Sequence, residues 1–286
     1  MSTPSSKTTL TFPIRSDRLT MSVGIVSHVA SVASPFQQID IYDTEEFGRA
    51  LLLDDHIQLA TFDEAAYHES FVQVPLAALP EARRVLVVGG GDGGVLRELV
   101  KHERLEKITM VEIDDLVVST CQRHLPEISN GAFDDPRVEL LIEDAFAYVK
   151  HSTETFDLIL VDATDVYEEE DGSLSENLFT QEFYGDCAKR LSEEGLVVTQ
   201  GDNPVFCPYS AEPILDLYRD VFGNSGMYWC LVPSFGGYSA FVWGGKRESL
   251  PSSWPTGDHT HVAMSYLTPA LYELGQGALP FGSLGS

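Results

Sequence analysis

Positive charge is scarce in this chain. Lys and Arg number 18 against 44 Asp and Glu, a formal net charge of −26. That balance repels phosphate backbones and anionic membrane surfaces, so neither nucleic acid nor membrane is expected as a partner. Cysteine is sparse too: Cys121, Cys187, Cys207 and Cys230 form no CxxC pair and no Cys/His cluster at zinc spacing. This argues against a disulfide framework and a metal site, and suits reduced thiols in the cytoplasm. No apolar run approaches the roughly 20 residues that span a bilayer. Residues 1–30 carry Lys7, Arg15 and Arg18 but no continuous apolar stretch, so no secretory signal is expected. The acidity leaves two readings open: a solubilising surface, or an affinity for cationic small molecules.

What is present is an ordinary globular balance. The 286 residues are 43% hydrophobic and 22% charged, enough for a sizeable core in one large domain or two modest ones. From about 10 to 62 the pattern favours strands: residues 20–32 are β-rich, 38–43 (QIDIYD) alternate, and 49–53 are apolar. Between 62 and 79 the period changes to helical, with Phe62, Ala66, Tyr67, Phe71, Val72 and Val74 on one face, and Pro75 and Pro80 are expected to break it. Strands at 84–88, 108–112, 138–142, 158–161 and 196–199 then alternate with helical stretches such as 93–102 and 115–124. That order predicts a mostly parallel sheet covered on both faces. Residues 227–232 and 238–243 read as a closing strand pair. The Pro-, Ser- and Gly-rich tail from 245 reads as a surface wrap.

The first strand-to-helix turn is GGGDGG, residues 89–94. Gly89, Gly91 and Gly94 satisfy GxGxxG in the required strand–helix context, and Glu112 ends the next strand where a ribose-binding acid is expected. A dinucleotide would be the usual inference, but Asp92 sits inside the loop. A carboxylate there repels a pyrophosphate, at a cost on the order of 1 kcal/mol or more if partly buried. A nucleoside-like cation fits better, and an adenosyl sulfonium has adenine, ribose and one positive charge without phosphate. Asp144, after the third strand, is placed to accept from an adenine amino group. The plainer reading of Asp92 is a helix-capping acid. Further on, the apolar run LILV leads into Asp162 and Asp165, and residues 162–176 hold seven carboxylates and no Lys or Arg. Strand ends present residues to the cleft in open α/β sheets. Asp162 and Asp165 are therefore candidates to hold ammonium groups, and one of them to take a proton from an attacking nitrogen. The run 168–171 (EEED) reads as a solvated loop.

These residues resemble the polyamine aminopropyltransferases, the spermidine synthase family. The resemblance runs through residues 47–76, RVLVVGGGDGGVLRELVKH (84–102), ITMVEID (108–114), DDPRVELLIEDAF (134–146), FDLILVDATD (156–165), LFTQEFY (178–184) and GLVVTQ (195–200), in order. It implies an α/β fold: a class I methyltransferase-like Rossmann domain (63–286) preceded by a small N-terminal β-domain (1–62), in homodimers or homotetramers. It also implies transfer of the aminopropyl group of decarboxylated S-adenosylmethionine, as co-substrate and with no further cofactor, to a di- or polyamine. Methylthioadenosine is released.

Carried over, the resemblance implies that Gln37, Gly89, Gly91, Asp92, Glu112, Asp144 and Ala145 form the donor site. Asp92 would take the donor's primary amine, Glu112 the ribose hydroxyls, and Asp144 with Ala145 the adenine. Asp162 and Tyr67 would be catalytic. Gln58, His68, Asp165, Gln200 and Phe235 would line the acceptor side. The plainer readings of Tyr67 and His68 are a core aromatic and a surface histidine. The chain also departs from the family pattern. Val166 replaces a proline after Asp165, and the segment between Asp165 and Leu178 is longer and more acidic than usual. Phe235, in Pro233-Ser234-Phe235, replaces a tyrosine, and Asp55 a glycine. Putrescine is the leading acceptor, with spermidine or another longer amine behind it. The alternatives are another S-adenosylmethionine-dependent transferase and a polyamine-binding protein on the same fold.

Overall fold

The structure is a computed structural model that describes residues 8–16, 19–163, 180–257 and 260–279. Five antiparallel strands, β1 (Thr9–Ser16), β2 (Leu19–Ala33), β3 (Gln38–Thr44), β4 (Gly48–Leu53) and β5 (His56–Ala60), form a meander in sequence order. Strand periodicity separates the two faces. Phe12, Val23, Ala50, Leu52 and Ala60 pack on one. Ile39, Ile41, Leu51, Leu53 and Leu59 pack on the other, against Val117, Cys121, Leu125 and Ile128 of the second unit. The β4–β5 turn places Asp54 and Asp55 at φ of 45° and 65°, the signs a type I′ turn requires. Asp is one of the few non-glycine residues that tolerates this region, which accounts for Asp55 where a glycine is usual.

The second unit is a seven-stranded sheet ordered β11-β12-β10-β9-β6-β7-β8. Its strands are β6 (Arg84–Gly89), β7 (Lys107–Glu112), β8 (Val138–Ile142), β9 (Phe156–Asp162), β10 (Leu191–Gln200), β11 (Asn224–Val232) and β12 (Gly237–Gly245). The five from β10 to β8 are parallel, and β12 and β11 are antiparallel additions at one edge. Helices α1 (Glu64–Ala78), α2 (Gly94–Val100), α3 (Asp115–His124), α4 (Pro126–Ser129), α5 (Ala145–His151), α6 (Gln181–Arg190), α7 (Pro208–Phe222) and α8 (Pro269–Gly275) surround it. Alternate residues of each strand serve opposite layers. Val85, Val87, Leu158 and Leu160 meet Phe71, Val72 and Leu76 of α1. Leu86, Val88, Ile159 and Val161 meet Val149, Phe183, Tyr184 and Tyr218 of α5, α6 and α7. Strands buried on both faces explain the unbroken apolar runs in the sequence. The expected α/β fold class, with its small N-terminal β-sheet, is the one observed. No helix among the described residues is long and apolar enough to cross a membrane.

Two expectations need correction. Pro75 does not end α1, which continues to Ala78. Its missing N–H costs one helical bond, but every residue from His68 to Ala78 is buried, so packing outweighs the loss. The tail beyond 245 is not only a surface wrap, since Leu250, Leu267 and Tyr272 join the main core and α8 forms within it. The fastener is Glu69 of α1, 1% exposed. Its carboxylate accepts from the backbone N–H groups of Ser265, Tyr266 and Leu267 at 2.5, 2.9 and 2.7 Å.

Replacing Glu69 with Gln should leave at least one of these N–H groups without an acceptor. The expected loss of stability is about 2–4 kcal/mol, read by denaturant unfolding. Limited proteolysis should then cut first within the segment from 246 to 279.

Candidate active site

In the parallel sheet, the topology reverses about β6, so the cleft opens at the carboxyl ends of β6, β7 and β9. Pairing of β6 with β9 sets Gly89 opposite Asp162. Gly89 has φ +76°, and a Cβ there would run into the backbone carbonyl of Asp162. That same carbonyl accepts from Gly90 N at 3.1 Å, fixing the glycine loop to the end of β9. The glycines therefore do more than permit a turn: they bring the loop against a second carboxylate-bearing strand end.

Asp162 is partly buried, and its Oδ1 accepts from the Tyr67 hydroxyl at 2.6 Å. Burial and the nearby charge of Asp92 push its pKa up to about 6, while Tyr67 and His68 pull the other way. Tyr67 is caged by rings, with Phe71, Phe235 and Phe241 at centroid distances of 5.7, 5.9 and 5.2 Å. It is thus a core aromatic in its ring and a site residue in its hydroxyl. Phe235 meets it edge-on, so the substituted residue does lie at the same centre.

Asp92 is not the N-cap of α2, which is Gly93, but one residue earlier its Oδ1 accepts from Gly94 N, the first residue of the helix, at 2.7 Å. The same oxygen lies 3.4 Å from His68 Nε2. His68 is not a surface residue. It is 2% exposed, and its Nδ1 lies 2.6 Å from Glu64 Oε2. Burial would lower its pKa, but the charges and hydrogen bonds of Asp92 and Glu64 outweigh that and raise it to about 10. Only a glycine at 94 leaves room for the ring, since a Cβ there would collide with it.

Glu112 is buried at the end of β7. Oε1 accepts from Ile113 N and Asp114 N at 2.8 and 3.0 Å, and Oε2 from Gly91 N at 3.1 Å. Burial still pushes its pKa up to about 7. Asp114 was not singled out from the sequence. Its Oδ1 caps α3 through Leu116 N at 3.1 Å, and its Oδ2 accepts from Ser34 Oγ and Gln37 Nε2 at 2.6 and 3.1 Å. Gln37 thus reaches from the β2–β3 loop to the end of β7, beside Glu112. An acid directly after a strand and before a helix is a legible capping signal; its second bond, across domains, is not. Asp144 caps α5 through Phe146 N at 2.9 Å and is exposed, whereas Ala145 beside it is buried.

The remaining candidates are placed less centrally. Gln200 donates to Ala163 O at 3.1 Å and accepts from Asp202 N at 2.9 Å, so its amide braces the loop after Asp162. Gln58 on β5 donates to His56 O at 3.4 Å. Asp165 and the long acidic segment after it lie outside the described residues. Sequence reasoning also missed Asp63. It stands at the N-cap of α1 yet makes no capping bond there. Instead it accepts from Ser234 N and Oγ at 2.7 and 2.8 Å, holding the turn that carries Phe235. Burial raises its pKa against those two donors.

Residues 64–251 match the family model for the spermine/spermidine synthase domain, and residues 14–61 the spermidine synthase tetramerisation domain. A polyamine aminopropyltransferase of Desulforudis audaxviator is 38% identical over 262 residues, 90% of this chain and 92% of that protein. One from Moorella thermoacetica is 38% identical over 92% of this chain and 91% of its own. Among solved structures, the spermidine synthase of Thermotoga maritima superposes with a TM-score of 0.86 at 26% identity, covering 97% of this chain and 93% of that one. A spermidine synthase in complex with the transition-state analogue AdoDATO does so with the same score and identity, over 97% and 94%.

The Tyr67 hydroxyl lowers the pKa of Asp162, so Tyr67→Phe should raise it above about 6. Titration of the Asp162 carboxyl carbon by NMR will test this, and an unchanged or lower midpoint would contradict the geometry.

Proposed function

The chain belongs to the spermine/spermidine synthase family, and from that premise we propose that it moves the aminopropyl group of decarboxylated S-adenosylmethionine to an amine, putrescine first. The observation that carries this reading is the Tyr67–Asp162 bond at the end of β9, a step from a second carboxylate, Asp92, on the glycine loop. Two carboxylates in one cleft suit two cationic substrates. Neither suits a phosphate.

Asp92 takes the donor's primary ammonium, Glu112 the ribose hydroxyls, and Asp144 with Ala145 the adenine. Ile142, 48% exposed at the end of β8, offers an apolar surface for the base. The acceptor arrives as an ammonium, because alkylamines have pKa values near 10. Asp162, steadied by Tyr67, receives one proton and aligns the freed lone pair. The nitrogen attacks the methylene beside the sulfonium: a C–N bond forms, the C–S bond breaks, and its electron pair stays on sulfur. Methylthioadenosine leaves uncharged, and the product carries the positive charge on its new secondary amine.

A carboxylate near pKa 6 facing an ammonium near 10 leaves the neutral amine disfavoured by roughly 5 kcal/mol. The sulfonium nearby repels the ammonium charge and reduces that gap. Proximity supplies the rest. The tetramerisation-domain match over residues 14–61 supports an oligomer built through the N-terminal sheet. A longer acceptor such as spermidine is the second reading. It is favoured by Phe235, which offers the acceptor side a ring edge and no hydroxyl.

Asp162→Asn should lower kcat about a hundredfold or more while leaving donor affinity nearly intact. Single-turnover release of methylthioadenosine and donor calorimetry measure the two quantities, and equal turnover would remove Asp162 from the mechanism. A panel of amines incubated with the donor, with product masses read out, identifies the acceptor. Phe235→Tyr should lower KM for putrescine relative to spermidine by roughly threefold to tenfold, as one gained hydrogen bond allows. A ratio that does not move would mean that position 235 does not select the acceptor.

A further inference from the structure

A row of alternating charges runs from the cleft to the surface behind α1. It begins at Asp92 and passes to His68 at 3.4 Å and from there to Glu64 at 2.6 Å. Arg97 of α2 grips Glu64 with both terminal nitrogens, at 3.0 and 2.7 Å, and also donates to Ile128 O at 2.9 Å. Its Nε reaches Glu98 at 3.1 Å, and Glu98 takes Lys101 at 2.7 Å and Gln73 at 2.9 Å. His68 and Glu98 are buried, and Glu64 and Arg97 nearly so.

Both ring nitrogens of His68 face carboxylate oxygens. A neutral imidazole has one donor and one acceptor nitrogen, so with both carboxylates ionised this arrangement is satisfied only by the doubly protonated ring. The groups facing His68 are Glu64 and Tyr67 from its own helix and Asp92 from the glycine loop. Those acting on Asp162 are Tyr67, Asp92 and His68. Asp92 and Asp162 are like-charged neighbours, and the charge of Asp92 raises the proton affinity of Asp162.

We propose that Glu64, clamped by Arg97, is a positioning residue for aminopropyl transfer: it holds His68 as an imidazolium against Asp92, so that Asp92 and Asp162 stay ionised together before the substrates bind. This rests on the reaction proposed above. Glu64 touches neither substrate. It acts through His68, whose positive charge lowers the proton affinity of Asp162, leaving one carboxylate to hold an ammonium and the other to accept a proton.

The test is the pH dependence of kcat/KM for the full chain, its Glu64→Gln variant and its Glu64→Asp variant. Loss of the Glu64 charge should move the acid limb upward, so that the ratio of kcat/KM at pH 8 to that at pH 6 rises about fivefold or more over the native value. Glu64→Asp should restore most of the native profile. Activity that falls equally at every pH would mean a merely structural role and overturn the proposal. An independent reading comes from imidazole nitrogen NMR of the native protein at pH 8, with His68 assigned by its absence in His68→Gln. Two protonated nitrogens support the proposal and a neutral tautomer overturns it, even if Glu64→Gln does not fold. Should the native chain turn over no amine, the proposed reaction fails, while the NMR result still decides the charge of His68.

Discussion

Two carboxylates share one cleft, and like-charge repulsion is the constraint around which the rest is arranged. The sheet register sets the problem: pairing of β6 with β9 puts Asp162 beside the glycine loop that carries Asp92. Water would solvate both charges cheaply, but here apolar strands back them. Each carboxylate therefore needs its own compensation. Asp162 has the Tyr67 hydroxyl, and Asp92 has a backbone N–H and the His68 ring. Even so, burial and the neighbouring Asp92 charge push the pKa of Asp162 up to about 6.

Much of this was legible in the sequence. The strands of the parallel sheet announce themselves as apolar runs, because burial on both faces leaves no polar alternation. The glycine loop with Asp92, and Asp162 at a strand end, follow from the Rossmann-type pattern and its chemistry. What the sequence does not display is pairing between distant residues. Asp63 bonds Ser234 and Glu69 holds residues 265–267, yet no local pattern marks either partner. Pro75 reads locally as a helix breaker, and only the packed surroundings of α1 show why it is tolerated. The surface reading of His68 fails for the same reason. Its burial depends on a missing Cβ at Gly94 and on acids from two elements.

The N-terminal sheet contributes to the site as well as to the expected assembly. One of its faces packs on α3 and α4. Its β2–β3 loop delivers Ser34 and Gln37 to Asp114, directly after the strand that ends in Glu112. Arg49 of β4 adds a bond to His124 O at 2.6 Å, at the end of α3. These bonds fix the β7 side of the cleft from outside the parallel sheet. Anything that reorients the N-terminal sheet is therefore felt at the end of β7, beside Glu112.

The first turns of α1 concentrate these demands on consecutive residues. Helical geometry turns each residue about 100° from the last, so neighbours serve different surroundings. Glu64 and His68, four apart, share the face toward α2, as that spacing dictates. Tyr67 points at the end of β9, and Glu69 at the returning C-terminal segment. Asp63, just ahead of the helix, holds the turn bearing Phe235. One rigid helix thus sets the partner of Asp162, the charge behind the glycine loop, the turn bearing Phe235 and the attachment of the tail. A shift of α1 by a fraction of an ångström would disturb all four together. Through that coupling, Pro75 and the buried run beyond it bear on the placement of Tyr67 and His68 two turns away. Their dense packing holds the helix in place, and its opening residues define the cleft.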